Sequence, residues 1–203
     1  MIAGTRVLSL RWPQRWMPRA HSTAVLRAAI GAVAAPDAPA GTERQRRTMQ
    51  FSRLIAPVDV LVGLKVADKP QLIREVARRL ADRSGLPVAV VDSLLNAREE
   101  LGSTGVGRGV ALPHARVPGA KQPCAIFARL AKPVDFLAVD GRPVDLVCAI
   151  IAPDQPRTEA LSALAAVSRV LRDPVVVDAI RKATTQESIY DQLMVADAAV
   201  PTS

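Results

Sequence analysis

Aromatic residues are scarce in this chain: three phenylalanines, two tryptophans and one tyrosine among 203 residues. A core must therefore be built from Val, Leu, Ile and Ala, which with the other apolar residues make up 49% of the sequence. Cysteine is scarcer still. Cys124 and Cys148 stand alone, each inside an apolar run, without the C-x-x-C spacing of a zinc site and too few for a disulfide framework. They read as reduced core residues. No apolar run reaches the roughly 18–20 residues that span a bilayer, so membrane insertion is not expected. Histidine is the scarcest informative residue, with only His21 and His114.

The net charge of +8 suggests a polyanion partner, but its distribution does not. Residues 1–48 hold eight arginines, Arg6, Arg11, Arg15 and Arg19 among them, against Asp37 and Glu43. The rest of the chain carries 19 basic and 17 acidic side chains, close to balance. Nucleic-acid binding concentrates positive charge on a folded face, and here the excess sits in the leader. The division expected is a disordered basic leader over 1–48 and one domain over 49–203. The leader's apolar stretch Thr23–Ala35 is broken by Arg27, unlike a signal-peptide core. An organelle-targeting peptide and an upstream extension ahead of Met49 remain open alternatives.

From Met49 onward the pattern is orderly. Asp68-Lys69-Pro70 opens a helix with Leu72, Ile73, Val76 and Leu80 on one face and Gly85 as its stop. A second helix starts near Pro87, carries Val88, Val91, Leu94, Leu95 and Leu101 on one side, and ends at Gly102. Val110–Leu112 reads as a short strand running into His114. Cys124–Leu130 and Val144–Ile151 read as strands, the second covered on both faces. Between them Val134–Phe136 and the Asp140-Gly141 turn suggest an excursion or hairpin. A helix over Thr158–Leu171 is expected to bury Leu161, Leu164, Ala165, Ser168 and Leu171. Asp173-Pro174 opens another helix to Ala183. The capping-box spacing of Thr184 and Glu187 opens a last one to about Met194. This order predicts a single α/β domain, a mixed sheet flanked by helices on both faces.

The chemistry concentrates in 98–114. Ahead of His114 lie Arg98, Gly102, Ser103, Thr104, Gly105, Gly107, Arg108 and Gly109. Glycine lets backbone N–H groups approach an anion, and arginine supplies a planar fork of charge. The loop lacks the G-K-[ST] ending of the nucleotide-triphosphate loop and runs helix to strand, so nucleotide binding is not indicated. A lone imidazole with an ordinary pKa near 6.5 offers a neutral, nucleophilic nitrogen at neutral pH. Beside an anion-holding loop it suits a transient phosphoryl carrier, which needs no metal and no cofactor.

The stretch R-E-x-L-G-S-T-G-x-G-x-G-V-A-x-P-H closely resembles the active-site segment of the enzyme IIA domains of the phosphotransferase system. The likeness is strongest to the nitrogen-regulatory type, which is related to the mannitol and fructose types. It continues through Pro133–Phe136, Arg142–Val147, Ala152-Pro153 and Leu164–Asp173, so it covers roughly Phe51 to Leu193. The resemblance implies a cytoplasmic domain in which His114 is phosphorylated by an HPr-like phosphocarrier fed by enzyme I and phosphoenolpyruvate. It implies that Arg98 lies by the phosphate, with Ser103 and Thr104 in the loop beside it. Regulatory targets such as transporters or sensor kinases are the implied partners. Sugar uptake and a non-phosphorylated interaction module are the alternatives. One departure stands out. Relatives commonly carry a second histidine at the start of the long helix, where this chain has Ala160. Arg108 is a candidate to supply compensating charge.

Overall fold

The computed structural model describes residues 49–199; the expected leader over 1–48 lies outside them. Six strands and five helices follow two short 3-10 turns: β1 (Val60–Leu64), α1 (Lys69–Ser84), α2 (Val88–Glu100), β2 (Gly105–Gly107), β3 (Val110–Ala111), β4 (His114–Val117), β5 (Cys124–Val134), β6 (Val144–Pro153), α3 (Arg157–Arg172), α4 (Pro174–Lys182) and α5 (Gln186–Ala198). The strands form one mixed sheet in the order β1-β5-β6-β3-β2, with β4 also paired to β6. β5 and β6 are antiparallel neighbours at its centre, and the 135–143 connection closes them into a hairpin. β3 and β4 run parallel to successive parts of β6, with Val110 opposite Leu146 and His114 opposite Ile150.

The alternation of β6 divides the core into two layers. Leu146, Cys148 and Ile150 face α3, α4, α5 and the 3-10 turn at Phe51, whereas Val147, Ala149 and Ile151 face α1 and α2. Every residue of β6 except Asp145 is buried, as its unbroken apolar run requires. The two cysteines fall in different layers, Cys148 in the first and Cys124 in the second, both as buried free thiols. Burial raises both pKa values, that of Cys124 to about 11, so neither is a thiolate at neutral pH.

Local signals account for the helix ends. Asp68 accepts a hydrogen bond from the Gln71 N–H at 2.7 Å, Pro70 sits in the first turn, and Gly85 closes α1 in the left-handed conformation. Asp173 caps α4 in the same way through the Val175 N–H. The cap of α5 is Thr185, one residue later than the Thr184 box spacing suggests, and the helix runs on to Ala198 rather than stopping near Met194. Among the described residues no helix is long and apolar enough to cross a membrane.

Two apolar stripes differ from expectation. In α3 the buried face is Ala163, Ala166, Val167, Val170 and Leu171, while Leu161 is 68% exposed and Ala165 lies outward. Two small alanines take inner positions beside Val167, Val170 and Leu171, while Leu161 and Leu164 line a cleft on the helix's flank. In α2 only Val91 and Leu95 are buried; Val88 and Leu101 are exposed.

Candidate active site

The end of α2, the Leu112-Pro113 segment, the start of β4 and the first turns of α3 converge on His114. β3 ends at Ala111, and Leu112-Pro113 interrupts the strand before β4 begins at the histidine itself. Pro113 has no N–H to give the ladder, but its carbonyl still accepts from the Ile150 N–H at 2.9 Å. The break turns His114 off the sheet edge while β4 keeps its backbone in register with β6.

Both ring nitrogens are engaged. Nδ1 lies 2.8 Å from the Leu112 carbonyl oxygen, and the Arg98 Nε–H donates to Nε2 at 3.2 Å. A carbonyl can only accept, so Nδ1 carries the proton and Nε2 presents its lone pair. Burial lowers the pKa of His114, the Leu112 hydrogen bond opposes that, the charge of Arg98 lowers it further, and Glu99 partly offsets it. The imidazole is neutral at pH 7 with an unprotonated Nε2. Arg98 is held in turn by its Nη1, which donates to the Gly102 carbonyl at 3.0 Å.

His114 and Arg98 line an open cleft of about 670 Å³ between α2, β4 and the first turns of α3. Leu94, Ala97, Leu101, Leu161 and Leu164 form its apolar walls, and Arg116, Arg157 and Asp154 its polar rim. Ala160, the residue expected to stand where relatives carry a second histidine, lines the same cleft. Arg116 and Arg157 were not singled out from the sequence. Strand alternation gives the signal for the first, which stands two residues beyond His114 on β4. Arg157 precedes Ala160 by three residues on α3, a helical neighbour.

The glycine-rich segment is less of a loop than its composition suggests. Gly105–Gly107 is a strand paired with β3, and Arg108-Gly109 is the turn between them. Gly109 has a positive φ of 77°, and a Cβ there would lie 2.5 Å from the Arg181 Nη2. The structure brings Gly102, Ser103 and Thr104 to the end of α2, next to Arg98. Ser103 Oγ donates to the Phe136 carbonyl at 2.8 Å and accepts from the Gly105 N–H at 3.1 Å. Thr104 is buried and bound to the Glu99 carboxylate. Gly107 and Arg108, grouped with these in the sequence, are placed elsewhere. They line a separate recess against α3, and the Arg108 guanidinium donates to the Arg172 carbonyl at 2.7 Å. The hairpin carries its turn away from the histidine, so Arg108 does not supply charge to the cleft. Among the described residues no cluster of His, Cys, Asp and Glu is arranged to hold a metal.

The model of the family described as "Phosphoenolpyruvate-dependent sugar phosphotransferase system, EIIA 2" matches residues 53–194. The chain belongs to this family. A nitrogen regulatory protein of Bradyrhizobium diazoefficiens is 39% identical over 145 residues, covering 71% of this chain and 95% of the relative. One from Pseudomonas aeruginosa is 33% identical over 143 residues, covering 70% and 93%. The crystal structure of the nitrogen regulatory protein IIA-Ntr from Neisseria meningitidis superposes with a TM-score of 0.67 at 31% identity, covering 70% of this chain and 98% of that one. Within the EIIA 2 family the chain is thus of the nitrogen-regulatory type, and its mixed sheet with helices on both faces is the IIA fold.

Proposed function

We propose that His114 accepts a phosphoryl group on Nε2 from an HPr-like phosphocarrier, in a relay driven by phosphoenolpyruvate through enzyme I. The observation that carries this reading is the Nδ1–H···O=C hydrogen bond to Leu112, which leaves Nε2 unprotonated and facing Arg98. In the transfer, the bond from phosphorus to the carrier's nitrogen breaks as the bond from phosphorus to Nε2 forms. The leaving nitrogen keeps the electron pair. Arg98 Nε–H, which now satisfies the Nε2 lone pair, passes to a phosphoryl oxygen, and its fixed charge stabilises the planar phosphoryl in flight. The Gly102-Ser103-Thr104 turn holds the end of α2 from which Arg98 projects.

The phosphorylated and free forms then differ by about two negative charges at the floor of an apolar-walled cleft. Such a change alters docking of a protein on that surface, and the nitrogen-regulatory relatives support a role in regulating target proteins in the cytoplasm. Transporters and sensor kinases fit this role; a IIA component of sugar uptake is the other use of the same chemistry within the family.

The test is intact-mass measurement after mixing the protein with phosphoenolpyruvate, enzyme I and the HPr-like carrier. One acid-labile phosphoryl group should appear on the protein and be absent from His114→Ala. No gain in mass, with the carrier demonstrably phosphorylated, would leave a protein-interaction module.

A further inference from the structure

The Glu99 carboxylate is almost fully buried, its side chain 7% exposed. A charge in that position is expensive unless it is paired and hydrogen-bonded. Lys69, reaching from the first turn of α1, lies 2.8 Å from Oε1. Its Nζ also donates to the Phe136 carbonyl at 3.2 Å and sits 4.6 Å over the Phe136 ring. Thr104 supplies the other partners: its N–H donates to Oε1 at 2.9 Å and its Oγ1–H to Oε2 at 2.5 Å. Burial pushes the Glu99 carboxyl up, but the hydrogen bonds from Lys69 and Thr104 outweigh it, so the group is held below its usual pKa and stays ionised.

Two chains of hydrogen bonds run from this residue to the two nitrogens of His114. From the side chain, Glu99 holds Thr104, whose carbonyl accepts the Leu112 N–H at 3.0 Å; the Leu112 carbonyl then takes the Nδ1–H. From the backbone, the Glu99 carbonyl accepts the Gly102 N–H at 3.2 Å, and the Gly102 carbonyl holds Arg98 Nη1. Arg98 Nε closes the ring on Nε2. An imidazole free in water carries its proton mainly on Nε2, the nitrogen that must here be bare. The Nδ1–H form has to be imposed by the neighbour of Nδ1. The position of the Leu112 carbonyl is therefore chemical as well as structural.

We propose that Glu99 and Thr104, with Lys69 as the counter-charge, are positioning residues that select the Nδ1–H tautomer of His114 through Leu112. This rests on the reading of His114 as a phosphoryl acceptor on Nε2, but the tautomer can be measured without any phosphoryl transfer. Thr104→Val removes the Oγ1–H donor at nearly constant volume and leaves an oxygen of Glu99 without its partner. Thr104→Ser restores the donor. Glu99→Gln keeps one acceptor, loses the second, and strips Lys69 of its counter-charge.

The experiment records long-range proton–nitrogen NMR spectra of nitrogen-15 histidine-labelled protein, with His114→Ala to assign the ring, followed by the rate of phosphoryl acceptance from the carrier. In the unaltered protein His114 should show the Nδ1–H pattern. In Thr104→Val the Nε2–H form should grow and the rate should fall roughly 10- to 100-fold, while Thr104→Ser recovers both. Glu99→Gln should move the tautomer in the same direction, and Thr104→Val decides the matter alone if Glu99→Gln does not fold. A folded Thr104→Val protein with the parent tautomer and a rate within twofold would overturn the proposal, whatever its melting temperature. If the unaltered protein accepts no phosphoryl group, the phosphocarrier reading fails while the tautomer spectra still decide whether these residues position the ring.

Discussion

At His114 the geometry separates two tasks between two nitrogens. Nδ1 is spent on the Leu112 carbonyl, and Nε2 is left unprotonated beside the Arg98 guanidinium, free for the proposed chemistry. The pKa of the ring is depressed, chiefly by burial and then by Arg98, against the pull of the Leu112 bond and Glu99. A depressed pKa keeps the ring neutral to lower pH than a free histidine, and on the proposed role phosphoryl acceptance should be lost only as pH falls through the lowered value. Replacing Arg98 with Met removes one of the depressing charges. An NMR titration of His114 should then move upward, toward the ordinary value near 6.5, and phosphoryl acceptance should fail through loss of the phosphate's partner. An unchanged or lower titration midpoint would contradict the charge assignment. Much of this site is readable from sequence because Arg98 and His114 sit at opposite ends of one short, glycine-marked motif. Lys69 is not readable, because its partner Glu99 comes from a different helix and only folding brings them together. Arg108 misleads for the converse reason: it is near in sequence, but the β2–β3 turn carries it to the far side of the hairpin.

Among the elements, the helices and the two long strands were legible, since each carries its own caps or apolar run. β1, β2 and β4 were not. β1 holds a glycine with a φ of 67° one residue before its end, β2 is mostly glycine, and β4 has only four residues, so their pairing partners rather than their own patterns define them. The stripe of α3 was read one step around the helix, because leucine looks more core-like than alanine. The distinction is measurable. Val167→Ala, fully buried, should lower unfolding stability by on the order of 2 kcal/mol. Leu161→Ser, on the exposed wall of the cleft, should change it by less than about 0.5 kcal/mol. Urea unfolding of the two variants tests this, and a reversed order would return Leu161 to the core.

The ends of the described domain meet. Asp197, near the end of α5, accepts the Phe51 N–H at 2.9 Å and the Ser52 N–H at 3.0 Å, pinning the entry segment beneath the helix layer that also carries Val167 and Ile180. Asp197→Ala leaves buried donors unpaired and should cost about 2 kcal/mol in thermal or urea unfolding, without displacing His114, which is held by Leu112 and Arg98. A loss within measurement error would mean the entry segment is held by packing alone. At this scale the sequence was most informative, because the motif residues, the apolar runs and the capping signals all point to the same α/β domain. The charge imbalance belongs to residues 1–48, outside the described domain.

The most direct test is a nitrogen-15 histidine NMR spectrum recorded as the protein is phosphorylated by its carrier, with His114→Ala for assignment. Phosphorus coupling at Nε2 of His114, with the proton retained on Nδ1, is the result expected. Phosphorus at Nδ1, or a phosphorylated protein whose His114 ring is unchanged, would contradict the account.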